Sequence, residues 1–277
     1  MQISTLVAAA VLAACAGETM SRTRVAGPAG ALAVDDGGRG GLPVVLVHSL
    51  AGNSTQWAKQ LAHLRPTRRA VAFDFRGHGR SEPAKNGDYS IASMAGDIAA
   101  VVDTLGLERF VLVGHSMGGG VALVYAGAHP ERVAGLLLVD PIGDGKQIAA
   151  AEAKPLLAGL DTSYDTTIRE YWTGIAGPDS AVRERLLADL RATSRETVVA
   201  AFREVLQFDP DPALARYRGP ILSVVTPYND APFSLHRSEN GFPHRVVQGT
   251  GHWIQLDKPD EFNQIMNEFL TTVRGKR

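Results

Sequence analysis

Short apolar runs recur along the chain, each bounded by turn-forming residues and separated by stretches with helical spacing. Their apolarity is continuous rather than alternating, which indicates strands buried on both faces, as in a parallel sheet. Because these strands alternate with helices, the pattern predicts an α/β fold with a mostly parallel wound sheet flanked by helices. The predicted strands are residues 43–48, 70–75, 110–114, 135–140, 221–226 and 245–249.

Helical periodicity is clearest after Ser90, a residue type that commonly caps a helix N-terminus. Apolar side chains from Ile91 to Leu105 then fall on one face, which predicts a helix packed against the sheet. Residues 119–128 and 259–273 also have helical patterns, and residues 25–36 suggest an N-terminal hairpin.

The alternation stops between residues 141 and 215, where the chain is polar, helix-prone and without a strand candidate. This segment predicts a helical lid inserted between two parts of the core, residues 25–140 and 216–277. Some of its aromatic side chains could line an apolar acyl pocket, although packing within the segment explains most of them. These aromatics are Tyr164, Tyr171, Trp172, Phe202 and Phe208.

With 277 residues, of which 45% are apolar and 21% charged, the chain can bury a large core. The formal net charge of −1 and the scattered arginines give no basis for a nucleic-acid partner, which would need a concentrated basic surface. One cysteine excludes an intrachain disulfide, and the eight histidines show no short zinc-binding spacing. We therefore expect no metal and no other cofactor.

Residues 1–24 are interpreted as a leader and linker. The run "STLVAAAVLAACAG" is too short to span a bilayer but has the length of a signal-peptide core. Leu12 to Cys15 is similar to a bacterial lipobox, which predicts a lipid anchor on Cys15 and a place in the cell envelope or periplasm. The start "MQISTL" lacks the usual basic residues, however, and a start at Met20 would instead give a cytoplasmic protein.

The stretch "LVGHSMGGGVALVYA" (112–126) places one serine where an apolar strand turns into a helix of small residues. A turn this tight holds Ser116 in a strained backbone conformation with its hydroxyl above the sheet edge. A Cβ atom at Gly114 or Gly118 would crowd the bend, so glycine is needed on both sides. Ser116 is therefore the candidate nucleophile.

Several motifs together resemble the α/β-hydrolase fold family, from about residue 25 to 273. "LVHSLAG" (46–52) resembles the oxyanion loop, and "DFRGHGRS" (74–81) is similar to a segment of the lidded esterase and haloperoxidase branches. "GTGHWIQLDKPDEFNQIMNEFL" (249–270) resembles the histidine loop and final helix. The resemblance gives His78 and His115 structural roles in packing or hydrogen bonding.

A serine hydroxyl needs a base to accept its proton, and a carboxylate must orient that base. The resemblance implies His252 as the base and the chain order serine, acid, histidine. Asp230 is the predicted acid, although "TPYND" (226–230) departs from the usual Gly-x-x-Asp turn. Asp140, at the end of the preceding strand, is the alternative.

The backbone amides of Leu50 and Met117 are the oxyanion donors that the resemblance implies. Ser49 stands where the family usually has glycine, which would cost energy if that position requires positive φ. The expected function is hydrolysis of carboxylic esters, possibly lactones, through an acyl-enzyme. Alternatives are a cofactor-free haloperoxidase or perhydrolase and a non-catalytic binding protein. Serine rather than aspartate at position 116 argues against dehalogenases and epoxide hydrolases.

Overall fold

A computed structural model describes residues 21–148, 150–239 and 241–274. One eight-stranded sheet runs through this part of the chain in the order β1-β2-β4-β3-β5-β6-β7-β8. The hairpin of β1 and β2 joins β4 antiparallel, and every strand pair from β4-β3 to β7-β8 is parallel. The strands are β1 Ser21–Ala26, β2 Ala31–Gly37, β3 Val44–Val47, β4 Ala70–Phe73, β5 Phe110–His115, β6 Val133–Val139, β7 Ile221–Val225 and β8 His244–Val246.

The described helices lie on both faces of the sheet, as the pattern predicted. They are α1 Ala58–Leu64, α2 Ile91–Thr104, α3 Met117–Ala128, α4 Ala150–Thr162, α5 Tyr164–Ile175, α6 Ser180–Ala192, α7 Arg195–Leu206, α8 Asp211–Arg216, α9 Ile254–Asp257 and α10 Pro259–Arg274. Helix α2 begins after Ser90, whose hydroxyl accepts a hydrogen bond from the Ser93 amide. The prediction of a mostly parallel α/β sheet is confirmed.

Two apolar clusters cover the sheet, one on each face. Within β3, Val45 and Val47 belong to the cluster that includes α2 and α3. Val44 and Leu46 belong to the other cluster, with α1 and α10. Successive strand side chains point to opposite faces, so a continuous apolar run is what a strand buried on both sides requires.

Strand β8 differs from its sequence interpretation, which predicted another buried strand. Its three residues are exposed, because β8 lies at the edge of the sheet and pairs only with β7. Only one of the three residues, Val246, is apolar, which suits an exposed strand at the edge of a sheet.

Helices α4 to α8 occupy the segment between β6 and β7 where the alternation stopped. Their buried side chains, such as Leu160 and Phe202, join the same cluster as the sheet. Asp189 of α6 also accepts hydrogen bonds from Asn53 (2.9 Å) and Gln56 (2.8 Å), beyond the end of β3. The helical segment is thus fixed to the core, and its role as a lid stays a prediction.

The predicted leader falls largely outside the described residues, and so do Cys15 and Met20. The predictions of export and lipid attachment therefore remain predictions. In the part of the chain that the structure describes, every helix is too short or too polar to cross a bilayer.

Candidate active site

Ser116 lies at the bend between β5 and α3, with φ 53° and ψ −120°. This is the left-handed side of backbone space, which residues with a Cβ seldom occupy. Its amide donates to the Val139 carbonyl (2.9 Å) and its carbonyl accepts from Gly119 (2.8 Å), so the surrounding backbone holds the bend in place. Although Ser116 occupies the N-cap position of α3, its hydroxyl makes no capping hydrogen bond and stays available for chemistry.

The flanking glycines are required by close backbone approach. A Cβ atom on Gly114 would lie 2.5 Å from the Gly118 carbonyl oxygen, and one on Gly118 would collide with the carbonyl of His48. Both contacts are with backbone, which cannot move aside as a flexible side chain would. The steric prediction made for the bend agrees with this geometry.

His252 lies beside Asp140. Its Nδ1 is 2.7 Å from Asp140 Oδ2, and the carboxylate is almost fully buried. The other carboxylate oxygen, Oδ1, accepts from the amide (2.8 Å) and the hydroxyl (3.2 Å) of Thr226. Asp140 is therefore held in one orientation, and it fixes the imidazole with Nδ1 as donor and Nε2 directed elsewhere.

The prediction that Asp230 is the carboxylate beside His252 is wrong. Asp230 Oδ1 instead accepts from His236 Nε2 (3.0 Å) and from Arg237 Nε (2.8 Å), and these hydrogen bonds lower its pKa. Asp140 directly follows β6, the immediate neighbour of β5. It therefore lies at the same carboxyl end of the parallel strands as Ser116. The end of β7 supplies Thr226 to support Asp140 rather than a carboxylate of its own, a role that sequence reasoning missed.

The predicted oxyanion loop is held by His48. Its Nδ1–H donates to the Ser49 carbonyl (2.7 Å), while its Nε2 accepts from the Phe75 amide (3.0 Å). Burial lowers the pKa of His48, which keeps the imidazole neutral as this pattern requires. The segment "DFRGHGRS" (74–81) thus supports the predicted oxyanion loop through the backbone amide of Phe75.

Ser49 does not carry the strain that a serine in place of glycine suggested. The positive φ of this loop falls at Ala51 (52°). The Ser49 hydroxyl is buried without a hydrogen-bond partner among the described residues and contributes to the cavity wall beside Ser116. Serine is therefore tolerated at this position without a left-handed backbone.

Leu50 lies in the loop after β3 and lines the same cavity as Ser116, and Met117 is the first residue of α3. The amide of a first helical residue has no acceptor within its own helix. The positive end of the helix dipole also favours negative charge at this point. The arrangement can therefore receive an anion next to the Ser116 hydroxyl.

The His252 loop is fixed from two sides. His115 Nε2–H donates to the His252 carbonyl (2.8 Å), and the His252 amide donates to Ile175 at the end of α5 (2.9 Å). Burial lowers the pKa of His115 well below its usual value, so this imidazole remains neutral. A Cβ on Gly251 would collide with the Gly177 backbone, which explains the glycine before His252.

Ser116 and His252 line one cavity of about 740 Å³ between the sheet edge and the helical segment. Within the described residues Ser116 Oγ forms no hydrogen bond; such contacts are often long before substrate binds. The cavity wall is largely apolar, as in small-molecule sites. Of the five predicted aromatics, Tyr171, Trp172 and Phe202 line it, whereas Phe208 packs in the core and Tyr164 lies under Arg195.

Known proteins share this arrangement of sheet and helices. A family model described as the α/β hydrolase fold matches residues 43–170. The esterase from Thermogutta terrifontis superposes with a TM-score of 0.77 at 27% identity, covering 91% of this chain and 99% of that one. Est816, described as an N-acyl homoserine lactone degrading enzyme, gives a TM-score of 0.78 at 25% identity, covering 89% and 100%.

A curated relative is the dihydrolipoyllysine-residue acetyltransferase component of the acetoin cleaving system of Pseudomonas putida. It is 31% identical over 245 residues, which is 84% of this chain and 65% of the relative, so the chain spans just under two thirds of that protein. Fold, site geometry and these similarities agree: the protein has the α/β-hydrolase fold, and the solved structures that it resembles are hydrolases with that fold.

Proposed function

We propose that the protein is a serine hydrolase that cleaves carboxylic esters, lactones included, through an acyl-enzyme on Ser116. The observation that carries the proposal is the 2.7 Å contact between His252 and buried Asp140, in the cavity that Ser116 also lines. A base oriented by a carboxylate beside a serine at a strained bend is the arrangement that serine hydrolases require.

In the proposed mechanism, Ser116 Oγ attacks the ester carbonyl while His252 Nε2 accepts its proton. Asp140 stabilises the resulting imidazolium through Nδ1. The amides of Leu50 and Met117 donate to the oxyanion of the tetrahedral intermediate, each such donor contributing about 3 kcal/mol of barrier reduction. His252 then protonates the leaving alcohol, and water, activated by the same imidazole, releases the acid.

The cavity supports an apolar acyl group as the bound part of the substrate. Ile142, Trp172 and Phe202 line the wall, and its volume of about 740 Å³ is typical of small-molecule sites. The lactone option is supported by the similarity to Est816, an N-acyl homoserine lactone degrading enzyme that shares the fold and 25% sequence identity with this chain.

Replacing Ser116 with alanine tests the assignment. We expect ester turnover to fall by about a millionfold, as when a serine nucleophile is removed from a triad. Turnover would be measured on esters graded by acyl length and on lactones, with a fluorophosphonate probe labelling the wild type but not the variant. Near-normal turnover in the Ser116→Ala protein would refute the mechanism, and a folded wild type that does not react with the probe would favour a binding protein.

A further inference from the structure

Three side chains of types that bind metals lie close together in the loop after β7 and at the start of β8. Asp230, His236 and His244 each offer one donor atom, and the three atoms lie within 4.8 Å of one another. His236 Nε2 is 3.0 Å and His244 Nε2 is 3.7 Å from Asp230 Oδ1. The two imidazole rings stack with their centroids 4.1 Å apart.

We propose that Asp230, His236 and His244 form a binding site for one divalent transition-metal ion of the zinc type. Two imidazole nitrogens and one carboxylate oxygen suit zinc and its neighbours, whereas magnesium and calcium prefer oxygen ligands. Three protein ligands leave the fourth tetrahedral position for water. Nothing in the proposed ester chemistry requires this ion.

The observed distances are close to those of a coordinated site. Donor atoms bound tetrahedrally at the usual zinc distance lie about 3.3 Å from one another, and the two nitrogen–oxygen distances, 3.0 and 3.7 Å, lie on either side of that value. His236 is buried and so already restricted in rotamer, while His244 and Asp230 are partly exposed and leave a path for the ion. Because the two rings are stacked at an interplanar angle of 21°, the more exposed ring, His244, would turn out of the stack to direct its nitrogen at the same ion as His236.

Arg237 would compete with the metal ion for Asp230. Its guanidinium donates to the same Asp230 oxygen, Oδ1, through Nε (2.8 Å) and Nη2 (2.5 Å). About half of the Arg237 side chain is exposed, so it can turn into solvent when a metal takes its place. Since both are cations that pair with one carboxylate, removing the guanidinium should strengthen metal binding.

Short sequence motifs do not reveal this site, because the three ligands are spread over 15 residues. The expectation of no metal relied on such motifs. The ion would connect the loop after β7 to the edge strand β8, and that loop also supplies Tyr228 and Phe233 to the cavity wall. Metal binding should therefore stabilise one side of the cavity.

Metal titration of the full chain, purified without a histidine tag and stripped with EDTA, tests the proposal. Calorimetry with Zn²⁺ should give one equivalent bound per chain and a raised melting temperature. His244→Ala and Asp230→Asn should each weaken binding by at least about tenfold, since loss of even an outer-shell partner costs 10–100-fold. His63→Ala, at an exposed histidine on α1, and Cys15→Ala are the matched controls and should bind Zn²⁺ as the wild type does.

Arg237→Ala separates a metal site from a simple ion-pair cluster. It should bind Zn²⁺ more tightly than the wild type, and Co²⁺ bound to it should give the absorption spectrum of imidazole-ligated tetrahedral cobalt. Mg²⁺ should give no saturable heat. The proposal is overturned if neither wild type nor Arg237→Ala binds one equivalent, or if His244→Ala and Asp230→Asn bind Zn²⁺ as tightly as the wild type.

Discussion

Ser116 and Asp140 share an unusual backbone property. Both have positive φ, 53° and 39°, although both carry a Cβ. Each directly follows a parallel strand, and each amide donates to the neighbouring strand, Ser116 to Val139 and Asp140 to Val224. Such conformations cost about 1–3 kcal/mol each and persist where surrounding hydrogen bonds enforce them. Ala51 in the predicted oxyanion loop also has positive φ (52°), so all three described non-glycine residues with positive φ belong to the proposed site.

Two matched substitutions distinguish the carboxylates. Asp140→Asn should lower kcat by about ten-thousandfold, because an amide leaves the imidazole in the wrong tautomer while retaining the shape of the site. Asp230→Asn, assayed in metal-free protein, should change kcat little, because Asp230 contacts His236 and Arg237 rather than His252. Steady-state kinetics on one ester suffice. A large fall in kcat for Asp230→Asn with a small fall for Asp140→Asn would show that Asp230, not Asp140, is the acid that orients His252.

Residue-level prediction succeeded where local backbone geometry dictates the residue type. The glycines around Ser116 are needed by contacts that one short stretch of chain implies. The acid depends instead on how β6 and β7 end relative to each other, and both strands are followed by an aspartate within five residues. The contact between His252 and Asp140 shows which strand end carries the carboxylate, and the hydrogen bonds from Thr226 hold that carboxylate in place.

At the scale of elements, helix α3 combines poor helix formers with a demand for close packing. It begins Met117-Gly118-Gly119-Gly120, and glycine in a helix costs about 1 kcal/mol relative to alanine. A Cβ on Gly118 would meet the His48 carbonyl, and one on Gly119 would lie 2.9 Å from Pro141 Cβ. The glycines lower the helix propensity of α3, but they let its backbone pack closely against the segments that follow β3 and β6.

Gly118→Ala and Gly96→Ala should shift stability in opposite directions. In α2, a Cβ on Gly96 meets only Pro28 Cγ at 3.6 Å, an ordinary contact, so alanine should raise the free energy of unfolding by about 1 kcal/mol. At Gly118 the clash with backbone should outweigh that gain and destabilise the protein by about 1–3 kcal/mol. Urea unfolding measures both. A stabilised Gly118→Ala protein would show that α3 can move away from His48 without cost.

Element-level prediction succeeded for strands whose two faces are covered and failed at the edge of the sheet. Val44 to Val47 are apolar throughout because α1 and α10 lie on one side and α2 and α3 on the other. Strand β8, His244–Val246, has only one apolar residue and is exposed, because no strand follows it in the sheet. The order of the strands in the sheet is a property of the whole fold, and the pattern of apolar residues within one strand does not reveal it.

The whole molecule depends on histidines that must stay neutral. His48, His78 and His115 are buried in three segments that meet around the active site, and burial lowers the pKa of each. For His78 the pKa falls to about 3. His78 Nδ1–H donates to the Arg76 carbonyl, and its Nε2 has no partner among the described residues. Protonation would place a charge in each of these sites, which the fold cannot solvate.

Stability should therefore decline as the pH falls below about 6.5. In that range the unfolded chain binds protons at these histidines while the folded chain does not, so their stabilisation is complete above pH 6.5 and is lost toward the folded pKa values. Each such histidine contributes a slope of about 1.4 kcal/mol per pH unit. Urea unfolding between pH 7 and 5 should show this slope reduced by one histidine's share in His78→Asn and unchanged in His63→Ala, where the side chain is exposed. An identical slope in wild type and His78→Asn would mean that His78 titrates alike in both states and that the folded protein accommodates its charge.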